Sequence, residues 1–380
     1  LAVQTGAINL GQGFPDTDGP TEVLDAAVAA IRAGHNQYPP DRGIPELRQA
    51  VSDHQARFYG QEVDPGDVMV STGASEAIGA AILALVSEGD EVVVFEPYFD
   101  LYAAVIALAG GVRRAVTLRA PDYSFDEADL AAAICPRTRL ILVNSPHNPT
   151  GKVFSPEELG VIARLAVEHD LLVVTDEVYE HMTYDGTRHV PLATLPGMAE
   201  RTVTISSGGK SYGLTGWKVG WAHGPTDLID AVHTVKQHLS FTSGAPFQRA
   251  MVTALNLGDD YFDGLAADNP PHGGITPQTL GVVHVFITAK AAKHRLTEQS
   301  RHAVPSVLAG TAILENILGN LGQAKGIVKL PIGEQPGVRG NPGTVELQLQ
   351  AAVKIDPKSV PFRFTHRVCH ANHSINASTY

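Results

Sequence analysis

SSGGKSYGLTGWKVGW, Ser206 to Trp221, sets one lysine behind two serines and two glycines, with a second lysine at 218. A lone lysine in a loop is ordinarily a solvated surface charge. Here Gly208 and Gly209 let backbone and ligand approach closely, and Ser206 and Ser207 supply hydroxyls where the apolar run Thr202–Ser206 ends. An amine that bonds a carbonyl carbon and then moves protons must spend time neutral. From an ordinary pKa of about 10.4, working near pH 7 needs a shift of about 3 units, or about 4 kcal/mol. An enclosed, electropositive site supplies such a shift, and a second cation at Lys218 pushes in the required direction.

Upstream of this stretch, short β-branched runs alternate with amphipathic ones: Val68–Ser71, Val92–Phe95, Arg139–Asn144, Leu171–Asp176 and Thr202–Ser206. Each is nearly continuously apolar, so it is expected to be buried on both faces of a largely parallel sheet between helices. Val112–Leu118 and Trp217–Ala222 are further strand candidates. Helical patterns lie between, among them Ala74–Val86 and Pro156–His169, the latter with Ser155 as N-cap and Glu157 and Glu158 in its first turn. This alternation reads as an α/β domain. Beyond about Leu265 the pattern changes. The acidic excess lies upstream, the remainder is net basic, and glycine and proline cluster at Asn269–Gly274 and Pro331–Gly343. A helix at Val304–Leu321 and strands at Thr344–Ile355 and Val360–Val368 are expected there.

The composition, 44% hydrophobic and 18% charged over 380 residues, is that of a soluble chain, and no apolar run is long enough to cross a bilayer. A net charge of −12 argues against a nucleic-acid partner, which needs lysine and arginine for its phosphates. Cys135 and Cys369 lie far apart without metal-type spacing, so the expected compartment is the reducing cytoplasm, with no metal. The chain opens on Leu1 without an initiator methionine or a signal pattern, and residues are expected to precede it.

Ligands of open parallel sheets bind beyond the carboxyl ends of the strands. In STGASEAIGAAILAL, Ser71–Leu85, a strand turns through Gly73 into a helix whose free amides at Ala74 and Ser75 can hold a phosphate; alone this is an ordinary strand-to-helix turn. NSPHNPTG, Asn144–Gly151, encloses the carboxamide of Asn148 between two prolines, which by itself is a good turn. TDEVYEH, Thr175–His181, closes an apolar strand with Asp176 and follows it with Tyr179, though Asp176 could equally cap a helix. Together with Lys210, these parts call for a ligand carrying a phosphate, a ring nitrogen, a ring oxygen and an aldehyde, which describes pyridoxal phosphate.

From about Ile8 to Leu257 the chain resembles the class I and II aminotransferases of the fold type I pyridoxal-phosphate superfamily. The resemblance implies a large domain at 31–264 with a mostly parallel seven-stranded sheet, and a smaller α+β domain made of 1–30 with 265–380. It implies that Lys210 bonds the cofactor and moves protons, and that Asp176 pairs with the pyridine nitrogen so that the ring accepts electrons. Asn148 and Tyr179 would bind the ring oxygen, Phe99 in EPYFDLY would stack on the ring, and Ala74, Ser75, Ser207 and Lys218 would hold the phosphate. Many relatives have arginine where this chain has Lys218, so a point charge replaces a bidentate fork. Gly13 in INLGQGFPD would line the substrate pocket, and Tyr38 in NQYPP would reach the phosphate of a neighbouring subunit, which makes a homodimer the expected state. His147 and His181 read as packing or gating groups rather than catalysts.

The implied reaction is exchange of an amino group between an amino acid, with glutamate the expected donor, and a 2-oxo acid. Within the superfamily the motifs resemble the kynurenine and glutamine aminotransferase branch, and especially the N-succinyldiaminopimelate aminotransferases of lysine biosynthesis. The family's carboxylate-binding arginine has one match, Arg363 in VPFRFTHR, in a tail whose residues 266–360 do not resemble the usual small domain. Alternatives are a carbon–sulfur β-lyase using the same cofactor residues, and a cofactor-binding relative impaired by the atypical tail.

Overall fold

The computed structural model describes residues 18–184, 186–268, 324–331 and 344–351. Seven strands, β1 (Val68–Ser71), β2 (Glu91–Glu96), β3 (Val112–Thr117), β4 (Thr138–Asn144), β5 (Leu172–Asp176), β6 (Thr202–Ser207) and β7 (Gly220–His223), form one sheet in the order β1-β7-β6-β5-β4-β2-β3. Six of them point the same way. β7 lies antiparallel between β1 and β6.

The apolar runs behave as strands because alternate residues feed different cores. Val92, Val94, Leu140, Leu142 and Val174 pack on one face with Ala77, Ile78 and Ile82 of α3 (Gly73–Leu85) and Ile106 of α4 (Leu101–Leu108). Val93, Phe95, Ile141, Val143 and Val173 pack on the other, against Leu159, Ile162 and Leu165 of α6 (Pro156–Glu168). The exception is β3, an edge strand whose residues are exposed apart from Val116, and arginines at 113 and 114 blunt that edge. α6 starts on the expected cap: Ser155 Oγ accepts from the Glu158 N–H at 3.2 Å while the Glu158 carboxylate accepts from the Ser155 N–H at 2.9 Å.

A third cluster joins Val68, Val70 and Trp221 to Leu47 and Val51 of α2 (Pro45–Tyr59), Met251 of α9 (Ala245–Leu255), and Val23 and Ala27 of α1 (Thr21–Arg32). The described part of the expected small-domain segment 1–30 therefore packs on the sheet unit itself. The remaining helices are α5 (Glu127–Ala133), α7 (Gly208–Ser211), α8 (Thr226–Leu239) and α10 (Asp259–Asp268).

One strand begins later than its apolar pattern suggests. Thr215–Trp217 forms a 3-10 turn and Lys218 takes a left-handed conformation, φ 55°, so the sheet is rejoined only at Gly220. In the tail, β8 (Ala324–Pro331), which the sequence pattern does not reveal, pairs antiparallel with β9 (Thr344–Ala351), which ends short of the expected Ile355. The expected elements Val304–Leu321 and Val360–Val368, together with Gly13 and Arg363, lie outside the described residues. Among the described residues, no helix is long and apolar enough to cross a membrane.

Candidate active site

Ser71, Asn144, Asp176 and Ser207 end parallel strands at one edge of the sheet, and register pairs Asn144 with Asp176. The Asn144 carboxamide knots this edge together. Its Nδ2 donates to the Asp176 carbonyl at 2.8 Å and to the Pro146 carbonyl at 3.1 Å, while its Oδ1 accepts from the Asn148 N–H at 2.7 Å. The loop carrying Asn148 is thereby tied to the end of β5. Asn148 is buried, its position fixed by that backbone hydrogen bond.

Asp176 is 5% exposed, and burial pushes its carboxyl up to about 6. Three groups pull the other way: Tyr102 Oη donates to Oδ2 at 2.7 Å, the Val178 N–H reaches Oδ1 at 3.4 Å, and the Lys210 charge favours the anion. Tyr102 is a site residue that the sequence reading missed, although EPYFDLY contains it. Its offset of three from Phe99 is the available signal, since the turn that leads into α4, closed by the Tyr102 N–H on the Phe99 carbonyl at 3.1 Å, sets the two rings edge-on with centroids 5.8 Å apart.

Lys210 sits on α7, directly beyond the end of β6, with Nζ 5.6 Å from the centroid of the buried Tyr179 ring. Burial lowers its pKa and Lys218 adds to this, while Asp176 opposes it. The direction is the one the chemistry needs. Burial holds the Tyr179 phenol far above its ordinary value, with Asp176 contributing.

Lys218 closes a cradle at the start of α3. A Cβ built on Gly73, φ 76°, would lie 3.2 Å from Lys218 Nζ. One built on Gly220 would lie 2.5 Å from the Gly73 carbonyl carbon and 2.6 Å from the Ala74 nitrogen. Only glycine lets β7 pass this close to the first turn, whose N–H groups lack intrahelical partners. Ala74 and Ser207 are buried here and Ser75 is exposed.

Phe99 is half-buried against the core face that contains Tyr179, and Tyr38 is 85% exposed, edge-on to Phe241 at 5.6 Å. The Tyr38 loop is anchored by Lys236, a fully buried amine donating to the Asp41 carbonyl at 2.5 Å and the Phe241 carbonyl at 2.7 Å. His147 is buried on Thr150 Oγ1 at 2.7 Å, and burial drops its pKa to about 3.

Behind Asp176 lies a buried polar network that the sequence reading did not find. Glu177 holds His189 at 2.8 Å, and Glu180 accepts from Ser206 Oγ at 2.5 Å and from Tyr59 Oη at 2.8 Å. His54 and His181 meet through their Nε2 atoms at 2.8 Å. Ligand atoms of His54, Glu180 and His181 come within 4.8 Å of one another, a metal-type grouping. The two Nε2 atoms are engaged with each other and each Glu180 oxygen accepts a hydroxyl, while the buried His54 Nδ1 has no partner among the described residues.

The donor set fits pyridoxal phosphate. A cationic glycine cradle suits the phosphate, a buried carboxylate suits a protonated ring nitrogen, and a buried carboxamide and a buried phenol suit the ring oxygen. The amine with a lowered pKa suits the aldehyde.

A family model described as class I and II aminotransferases matches residues 5–266. The chain is 52% identical over 263 residues to a Mycobacterium tuberculosis protein named "Probable N-succinyldiaminopimelate aminotransferase DapC", covering 68% of this chain and 66% of that one, just under two thirds of its length. It is 43% identical to a kynurenine–oxoglutarate transaminase of Dictyostelium discoideum, over 70% of this chain and 66% of that one. The solved structure of the Mycobacterium tuberculosis N-succinyldiaminopimelate aminotransferase aligns with a TM-score of 0.69 and 50% identity, over 70% of each chain.

Proposed function

Because the chain belongs to the class I and II aminotransferase family, we propose that it is a pyridoxal-phosphate-dependent aminotransferase. The observation that carries this reading is the convergence of Asp176, Tyr179 and Lys210 at one sheet edge beside the Gly73–Gly220 cradle. Pyridoxal phosphate, when bound, supplies an aldehyde for the amine and a ring that accepts an electron pair from the substrate α-carbon.

The chain's own groups do the rest. Lys218 Nζ and the first-turn N–H groups of Ala74 and Ser75, with Ser207, bind the phosphate. The ionised Asp176 carboxylate, oriented by Tyr102, keeps a proton on the ring nitrogen. Asn148 and Tyr179 hold the ring oxygen, and Phe99 covers the ring face. Lys210 Nζ, its pKa lowered by burial and by Lys218, takes the proton from the substrate α-carbon.

The amino acid and 2-oxo acid exchange by a ping-pong scheme. The 52% relative favours N-succinyldiaminopimelate aminotransferase activity in lysine biosynthesis over the kynurenine type, with glutamate as donor. The exposed Tyr38 is read as reaching a second copy's phosphate in a cytoplasmic homodimer, and Arg363 and Gly13 as substrate contacts. We read 31–264 as the large domain and 265–380 with 1–30 as the small one, α1 crossing that boundary to pack on the sheet unit.

A half-reaction screen tests this reading: amino acids are added singly to the cofactor-loaded protein while the absorbance band of the lysine-bound cofactor is followed. Glutamate is expected to bleach the band, and Lys210→Ala to lack it. A Lys210→Ala protein with the wild-type spectrum overturns the assignment.

A further inference from the structure

We propose that Glu180 is the positioning residue for the active-site lysine, holding through Ser206 the strand that delivers Lys210 at a fixed height against the loop that carries Asp176 and Tyr179. This deepens the functional reading above and rests on it.

The Glu180 carboxylate joins three elements. Its Oε1 accepts from Ser206 Oγ at 2.5 Å, and Ser206 is followed in β6 only by Ser207 before α7 begins at Gly208. Its Oε2 accepts from the hydroxyl of Tyr59, the last residue of α2, at 2.8 Å. Its backbone belongs to the turn after β5, where the Glu180 N–H donates to the Glu177 carbonyl at 2.9 Å and the Glu177 N–H to the Ile205 carbonyl at 2.8 Å. Side chain and backbone thus meet β6 at successive residues, Ile205 and Ser206.

A carboxylate is the suitable group because it accepts at both ends, whereas the two hydroxyls need acceptors of defined direction. It is also a costly one. Glu180 is 5% exposed, and burial pushes its carboxyl up to about 7, a penalty that simple space-filling would not require. Neither Glu180 nor Ser206 has a part in the chemistry set out above.

A displacement of about 1 Å at a reacting group costs on the order of 100-fold. Losing the clamp is therefore expected to slow band formation between added pyridoxal phosphate and Lys210. Apo-protein is mixed with the cofactor, and the rate of band formation and the dissociation constant are measured for wild type, Ser206→Ala, Glu180→Ala, Glu180→Gln and the Glu180→Ala/Ser206→Ala double variant.

The expected result is a loss of about 10- to 100-fold in Ser206→Ala and Glu180→Ala, with Glu180→Gln, which still accepts one hydroxyl, recovering most of it. The double variant should be no worse than the poorer single one, since both remove the same link. Losses that multiply in the double variant, or a Glu180→Gln protein as slow as Glu180→Ala, overturn the proposal. Should Glu180→Ala fail to fold, Ser206→Ala alone decides, and a wild-type rate there overturns it. Absence of the band in wild type would instead sink the functional reading.

Discussion

Tyr102→Phe removes a single oxygen from the site and should change how Asp176 titrates. Burial has raised this carboxyl to about 6, and among the groups that resist the rise the Tyr102 hydrogen bond, at 2.7 Å, is the largest. A hydrogen bond to an ionised carboxylate contributes about 1.5–3 kcal/mol, and one to its neutral form about 0.5–1.5. The difference, about 1–1.5 kcal/mol, corresponds to roughly one pKa unit. At pH 7 the anionic fraction should fall from about nine tenths to about one half.

The sign follows from linkage. A carboxyl whose folded pKa lies above its unfolded value contributes stability that is complete below the unfolded value, here 3.8, and is lost as pH rises through about 6. The variant raises the folded value further by weakening the anion, so its extra cost belongs to the alkaline side. Urea unfolding of the cofactor-free protein should show a loss of about 0.5–1.5 kcal/mol near pH 5 and about 1.5–3 near pH 8. Equal losses at the two pH values would refute the claim that Tyr102 favours the anion.

Three further outcomes follow from the geometry. Gly220→Ala places a methyl against backbone atoms at 2.5 and 2.6 Å that cannot rotate aside, so the start of α3 must shift. Pyridoxal phosphate affinity should fall at least about 10-fold, and native affinity in a titration would show that the cradle does not hold the cofactor. Lys218→Ala should weaken cofactor binding by a similar order while Lys218→Arg restores much of it. A Lys218→Ala enzyme with native affinity and lost turnover would assign the amine another role. Ser155→Ala breaks the capping box of α6 and should cost about 1 kcal/mol in urea unfolding, with cofactor affinity unchanged; a midpoint identical to wild type contradicts the cap's contribution.

The sheet was legible because its strands are short apolar runs ended by polar residues, and the acid, amide and amine fall where those runs stop. Asp176 and Lys210 declared themselves as charged groups at the ends of buried strands. Tyr102 did not, because an aromatic on a helix beside other apolar residues reads as core, and only the fold shows its hydroxyl turned onto Asp176. Glu180 was hidden for a related reason. Its partners Tyr59 and Ser206 lie far from it along the chain, and nothing local distinguishes a clamped carboxylate from a solvated one. The late start of β7 was concealed by the apolar residues at 217 and 219, which suggested a strand where the chain is still turning.

The reversed strand has a geometric consequence. Gly220 is in register with Ser71 on one side and Ser207 on the other, so the strand that leads into α3 and the strand that delivers the lysine stand two ladder steps apart, about 9–10 Å at the usual pitch of a sheet. That gap is metered by main-chain hydrogen bonds and owes nothing to the size of any side chain. Substitutions in the layers above and below can loosen the molecule without changing the ruler, and a ligand of different length would need a strand added or removed.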